Sequence, residues 1–170
     1  MIRSLEAHDR EAVLALIRAT GNFNDAEVVI ASELIDICVE QPDQQDYFAY
    51  VAETKPSGTS IAGTLIDEKF EIAGFLLLGP TPATTGTYDM YWIAVDPKYY
   101  GRGIAQALDQ FAETFVTGRG GYWLIAETSG QPAYQRTRAF YEKQGYKTLT
   151  RIPDYYKPSD DLIVYGKRLA

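Results

Sequence analysis

The sequence predicts an α+β fold built on one mixed sheet. Seven strand-like and four helical segments are legible, strands often follow one another directly, and some helices sit between strands as crossovers do. No internal repeat or linker divides the 170 residues, so a single domain over residues 1–170 is expected.

Ile2 to Leu5 is the first strand candidate. Asp9 begins a helix with Val13, Leu14 and Ile17 at helical spacing, and Gly21 stops it. Asn24 or Asp25 caps a second helix that runs through Val39 and ends at Pro42, with Cys38 on its apolar side. Tyr47 to Glu53 alternates as a strand does, and "TKPSGTS" breaks it. Ile61 to Glu68 reads either as a short extra strand or as an inserted loop. Phe70 to Leu78 and Thr87 to Val95 are strands joined by "GPTPATTG". Gly103 to Val116 is a helix with Ile104, Ala107, Leu108, Phe111 and Phe115 on one side, stopped by "GRGG". Tyr122 to Glu127 is a strand, about Ala133 to Gln144 a helix, and Tyr146 to Ile152 and Leu162 to Arg168 are the last strands. "PDYYKPSDD" is expected to loop between those two.

Composition narrows the function classes. The net charge of −7 argues against nucleic-acid binding, which needs a basic face. No apolar run is long enough to cross a membrane, and the first residues lack a signal-peptide pattern. A cytoplasmic protein with neither membrane nor nucleic-acid partners is therefore expected. The single cysteine excludes an intrachain disulfide and a cysteine-rich zinc site, and no metal is expected. Thirteen tyrosines can line a pocket or cover half-buried sheet.

The stretch "DPKYYGRGIAQAL" follows an aromatic strand and opens a helix. Small residues at Gly101, Gly103 and Ala105 allow close approach to free N–H groups at a helix start, where a phosphate is well held. Arg102 adds a positive charge. An ordinary strand–helix turn explains the same glycines. A P-loop would require Lys-Ser or Lys-Thr after the second glycine, which is absent at this loop. A Rossmann fingerprint fails because Gln106 stands at the third small position, and consecutive strands precede the loop. An acyl-coenzyme A pyrophosphate site is the third reading.

"WIAVDPKYYGRGIAQALDQF" resembles the coenzyme-binding motif of the GNAT N-acetyltransferase superfamily, [QR]-x-x-G-x-[GA] after a bulged strand. Gly103 and Ala105 match its last two positions, and Tyr100 stands where Gln or Arg is usual. "TRAFYEKQGY" resembles the later A-x-x-x-Y-x-K-x-G-F helix through Tyr141 and Gly145; Thr137 replaces Ala, and Tyr134 stands where Asn is common. The resemblance covers the whole element order. It implies a mixed, mostly antiparallel sheet of about seven strands flanked by about four helices.

It also implies an acetyl-CoA-dependent N-acetyltransferase acting on a small-molecule or peptide amine, in a chain that can pair as a homodimer. Backbone groups near Ile93 and Val95 would hold the pantetheine arm, and one N–H there would polarise the thioester carbonyl. Tyr100, Gly101, Arg102, Gly103, Ile104, Ala105 and Thr137 are the further coenzyme-contact candidates. Tyr141 is the general-acid candidate, since a phenol stays protonated at neutral pH; a tyrosine packed on the sheet is the alternative. Asp89 and Glu127 are candidates to relay a proton from the amine, and each also reads as a solvated carboxylate. Asp154, Asp160 and Asp161 could instead attract a cationic substrate, walled by Tyr155 and Tyr156. His8 reads as a surface residue. No Ser-His-Asp or Cys-His set is evident, which favours direct attack by the amine over an acyl-enzyme. A non-catalytic acyl-CoA-binding module on the same fold stays open beside the enzyme.

Overall fold

The apolar alternation of the middle segments builds a seven-stranded sheet. In the computed structural model, which describes residues 1–55 and 70–169, the strands are β1 (Ile2–Ser4), β2 (Phe48–Thr54), β3 (Glu71–Pro80), β4 (Thr87–Val95), β5 (Trp123–Ser129), β6 (Lys147–Lys157) and β7 (Asp160–Arg168). Their order is β1-β2-β3-β4-β5-β7-β6. Every pairing is antiparallel except β4 with β5, which are parallel as strands joined by a crossover helix must be. The segment Ile61 to Glu68, read as either strand or loop, lies outside the described residues.

Four helices cover the two faces. α1 (Arg10–Ala19) and α2 (Asp25–Glu40) lie on one, and α3 (Ile104–Gly118) and α4 (Gln135–Lys143) on the other. β3 is apolar almost throughout because it is buried on both sides. Its Phe75 and Leu77 join Val13, Ile17, Ala31 and Ile35 of α1 and α2. Leu76 and Leu78 join Leu108, Ala112 and Val116 of α3, together with Leu124, Tyr141 and Tyr165. Cys38 packs beside the α1–α2 core, and burial pushes its thiol up to about 11.

Asn24 caps α2 as its residue type suggests: it accepts from the Glu27 N–H at 3.0 Å, and Glu27 accepts from the Asn24 N–H at 2.8 Å. Asp9 does not cap α1 in that way. It is buried and takes the Arg3 guanidinium at 2.6 and 2.9 Å, tying the helix start to β1.

The end of the chain departs from expectation. Residues 153–161, read as a loop, extend β6 to Lys157 and begin β7 at Asp160. The register runs Ile152↔Leu162 and then Lys157↔Asp160, so residues 153–156 bulge opposite Asp161. Pro153 and Pro158 made the stretch look like a loop, but a bulge and a turn both tolerate proline. Asp161 secures the bulge: it pairs with Arg151 and accepts from the Asp154 N–H at 3.1 Å.

Asp109 of α3 is fully buried. Its Oδ1 accepts from the Tyr146 hydroxyl at 2.8 Å; its Oδ2 lies 3.8 Å from the Lys167 ammonium and accepts no hydrogen bond among the described residues. Burial pushes this carboxyl up to about 6, against the pull of Tyr146 and Lys167. A folded-state pKa above the unfolded value means that the folded state holds the proton longer, so stability falls as pH rises from about 4 to about 6. In Asp109→Asn that fall should be absent. The stability of wild type relative to the variant should drop by on the order of 3 kcal/mol across the window, read from denaturant melts at several pH values. A difference independent of pH would show that Asp109 does not titrate there.

Candidate active site

β4 and β5 pair only briefly. Thr87, Tyr88 and Asp89 lie beside Trp123, Leu124 and Ile125, and the strands then part. β4 keeps β3 as its partner through Val95, and β5 keeps β7 through Ser129. The β3–β4 register slips between Leu77↔Trp92 and Leu78↔Met90, leaving Tyr91 as a bulge that turns β4 away from β5. Between the strands lies a wedge edged by backbone. On any strand every second residue turns its N–H and C=O away from one partner, here toward the gap. Ile93 and Val95 lie on this stretch, with side chains packed in the core on the α3 side.

Both strands run into helices at the open end of the wedge. After β4 come a 3-10 turn, Pro97–Tyr99, and then α3. Gly101 and Gly103 both have φ of +77°, a backbone that side-chain-bearing residues rarely adopt, and nothing lies within 4 Å of where a Cβ would stand. Gly103 is the N-cap residue of α3, and no side chain caps that helix. Its first N–H groups therefore face outward at the positive end of the helix dipole. Arg102 lies over the Tyr99 ring, 5.2 Å from its centroid, and Ile104 and Ala105 are partly buried against Ala73, Val95 and Tyr99. The turn offers outward backbone N–H groups and the nearby Arg102 charge to an anion, and the wedge leading to it is edged by unpaired backbone.

The exposed Tyr100 has the Arg136 guanidinium of α4 5.3 Å from its ring centroid. Arg138, two residues on, donates to the Ser129 and Gln131 carbonyls at 2.7 and 2.9 Å and fixes α4 to the end of β5. Arg136 precedes the resembled stretch "TRAFYEKQGY" and Arg138 occupies one of its unspecified positions, so motif spacing did not single them out. Thr137 is partly buried one turn before Tyr141, on the same helix face.

Tyr141 is buried in the α3 side of the core, with Phe140, Tyr146 and Tyr165 rings 5.6, 5.2 and 5.4 Å away. Burial and then the Asp109 charge push its phenol well above the usual value, so it holds its proton at neutral pH. Asp89 and Glu127 lie on the other face. Asp89 sits beside Ile125, and Glu127 is two residues farther along β5, while their neighbours Tyr88 and Ala126 point into the α3 side. Lost hydration raises the Asp89 carboxyl; lost hydration and then the Asp89 charge raise that of Glu127.

Other residues gather on that second face. Tyr134 donates to the Asn22 carbonyl, joining the start of α4 to the α1–α2 connection, where Phe23 lies 6.5 Å from Trp92. Tyr156, in the β6 bulge, is pushed up to about 12 by burial and by the nearby charges of Glu127, Glu27 and Asp160. Tyr155 stacks edge-on against Tyr156 at 5.1 Å. Asp154 accepts from the Ser159 N–H at 2.6 Å, and Asp160 accepts from Ser129, so these carboxylates, like Asp161, are engaged within the hairpin and its neighbour strand. His8 is exposed beside Glu6 and Asp9, far along the chain from both motifs. Among the described residues no cluster of His, Cys, Asp or Glu is arranged to hold a metal, and no helix is long and apolar enough to cross a membrane.

Comparison with known proteins agrees with this fold. A solved structure assigned to the GNAT acetyltransferases, from Desulfovibrio desulfuricans, is 33% identical and superposes with a TM-score of 0.87, over 100% of this chain and 99% of that one. An aminoglycoside 6′-N-acetyltransferase complexed with coenzyme A (18% identical, TM-score 0.71, 100% and 97% covered) shares the fold. So does the ribosomal-protein-S18-alanine N-acetyltransferase of Escherichia coli (21%, TM-score 0.71, 100% and 94%). An uncharacterized protein of Mycobacterium leprae is 33% identical over 102 residues, 60% of this chain; the match spans about a quarter, 25%, of that protein's length. Residues 45–148 match the Acetyltransferase (GNAT) domain, and the chain belongs to the GNAT acetyltransferase family.

Proposed function

We propose that the protein is an acetyl-CoA-dependent N-acetyltransferase whose acceptor is a primary amine. The observation that carries this reading is the uncapped glycine turn of α3 at the open end of the β4–β5 wedge. Acetyl-CoA would supply the activated acetyl group, and the amine would attack it directly in a ternary complex. The chain's own residues divide the remaining work. N–H groups from Gly101 to Ala105 hold the phosphates, with Arg102 alongside. Backbone of Ile93 to Val95 aligns the arm, and one N–H there polarises the carbonyl oxygen.

The two faces of the wedge have different chemistry. Tyr141, buried among aromatic rings, keeps a phenolic proton that it can give to the departing sulfur. Asp89 and Glu127 on the opposite face can take a proton from an ammonium group, directly or through water. Their raised pKa values bring them nearer to the working pH than free carboxylates. Among the described residues the charges acting on Glu127 and Tyr156 come from Asp89, Glu127, Glu27, Asp160 and Tyr155, which favours a positively charged acceptor at this face.

An acetyl-CoA turnover screen across amines, reading the free thiol released, tests the reading. Turnover on at least one amine is expected, and failure to bind acetyl-CoA would overturn it. Binding without turnover on any amine would make the chain an acyl-CoA-binding module instead. Tyr141→Phe should lower kcat by about 10²–10⁴-fold with little change in the KM for acetyl-CoA; unchanged turnover would remove Tyr141 as the acid. Glu127→Gln should lower kcat/KM by roughly tenfold or more and shift its acidic limb to lower pH, because a carboxylate with a raised pKa no longer limits it. A profile identical to wild type would assign the proton transfer to another group.

A further inference from the structure

The motif that this family shares begins with Gln or Arg, and this chain has Tyr100 there. A tyrosine supplies neither the charge nor the forked donors of arginine. Tyr100 is nevertheless not left in water alone. Its ring, 42% exposed, lies under the guanidinium of Arg136, which arrives from the first turn of α4.

The cations around the turn have different obligations. The Lys98 ammonium is paired with Glu71 at 2.8 Å. Arg138 is spent on two backbone carbonyls that anchor α4. Arg102 stacks on Tyr99, whose hydroxyl is itself fixed to Glu71 at 2.7 Å. Arg136 forms no ion pair or hydrogen bond among the described residues; its contact is the Tyr100 ring. Arg136 and Arg138 are two residues apart on one helix, so they point to nearly opposite sides. Anchoring of the second toward β5 turns the first toward the loop.

A cation over an aromatic ring makes no hydrogen bond to it, so the guanidinium N–H groups stay available to an anion. An exposed contact of this kind is weak and does not neutralise the charge. It does restrict the side chain, so less rotamer freedom is lost when an anion arrives. Arg136 is thus held on the ring of Tyr100, the residue that precedes Gly101 and the turn into α3.

We propose that Arg136, positioned on the Tyr100 ring, binds the pyrophosphate of the coenzyme and replaces the Gln or Arg that the family carries at position 100. This rests on reading the Gly101–Ala105 turn as the coenzyme site. The pair moves the cationic contact from the loop to α4, so coenzyme binding also ties α4, and Tyr141 with it, to the start of α3.

Calorimetric titration with coenzyme A and with its 3′-dephospho form tests the pair. Arg136→Ala should weaken both ligands about tenfold, as loss of a charge-assisted phosphate contact does, with an unchanged thermal midpoint because the side chain is exposed. Tyr100→Ala should weaken binding less and add nothing in the Arg136→Ala background. Tyr100→Arg in that background should restore most of the affinity. Wild-type affinity in Arg136→Ala overturns the proposal while leaving the coenzyme site standing. A loss confined to the 3′-phosphorylated ligand also overturns it, because the contact would then be to the other phosphate. No binding by wild type would overturn the reading of the turn itself, and the proposal with it.

Discussion

The parting of β4 from β5 is the constraint on which the site depends. The two strands are held along their outer edges by antiparallel partners, β3 and β7, for their full length. With the bulge at Tyr91 added, they cannot close on each other beyond Asp89 and Ile125. Backbone donors and acceptors that a closed sheet would pair are left facing a gap, and such groups are costly to leave without partners. An extended ligand with amide groups answers that need as a further strand would. Because the strands are parallel, both following helices begin at the open end, which brings the α3 turn and the α4 side chains to one place.

The faces of the sheet then differ for reasons of packing. On the α3 side aromatic rings surround Tyr141, and burial there disfavours the charged phenolate, so the phenol keeps its proton. The buried Asp109, with Tyr146 and Lys167, links α3 to the end of the chain, and its charge reinforces the protonated state of Tyr141. On the α1–α2 side, the register brings Asp89 and Glu127 to one surface, and the β6 bulge brings Tyr156 within reach of the Glu127 charge. Tyr141 and the Asp89–Glu127 pair therefore lie on opposite faces of the sheet.

Much of this was legible in the residues. Apolar periodicity located the seven strands and four helices of the described residues, with only the far end of β6 and the start of β7 running beyond expectation, since each period reports which side of an element is buried. Gly101 and Gly103 stand at a helix start as the glycine pattern suggested; their left-handed backbone and the missing side-chain cap are findings of the structure. The hairpin beyond Ile152 was not legible, because Pro153, Pro158 and several aspartates carry a local turn signal. Its strand character comes from pairing with β7, an interaction made across the turn and not within the segment. Asp154 and Asp161 look like free acidic groups in the sequence; in the fold they secure that hairpin.

The sequence by itself determined the order of elements, the buried side of each and the position of the glycine turn, because these follow from local period and backbone preference. Only the tertiary structure decided which strand edges stay unpaired, which face Asp89 and Glu127 share, and that Arg136 reaches Tyr100. Those properties depend on registers between segments tens of residues apart, and no local pattern encodes a register. Tyr100 shows the difference: in the sequence it is a missing arginine, and in the fold it is the surface on which another arginine rests.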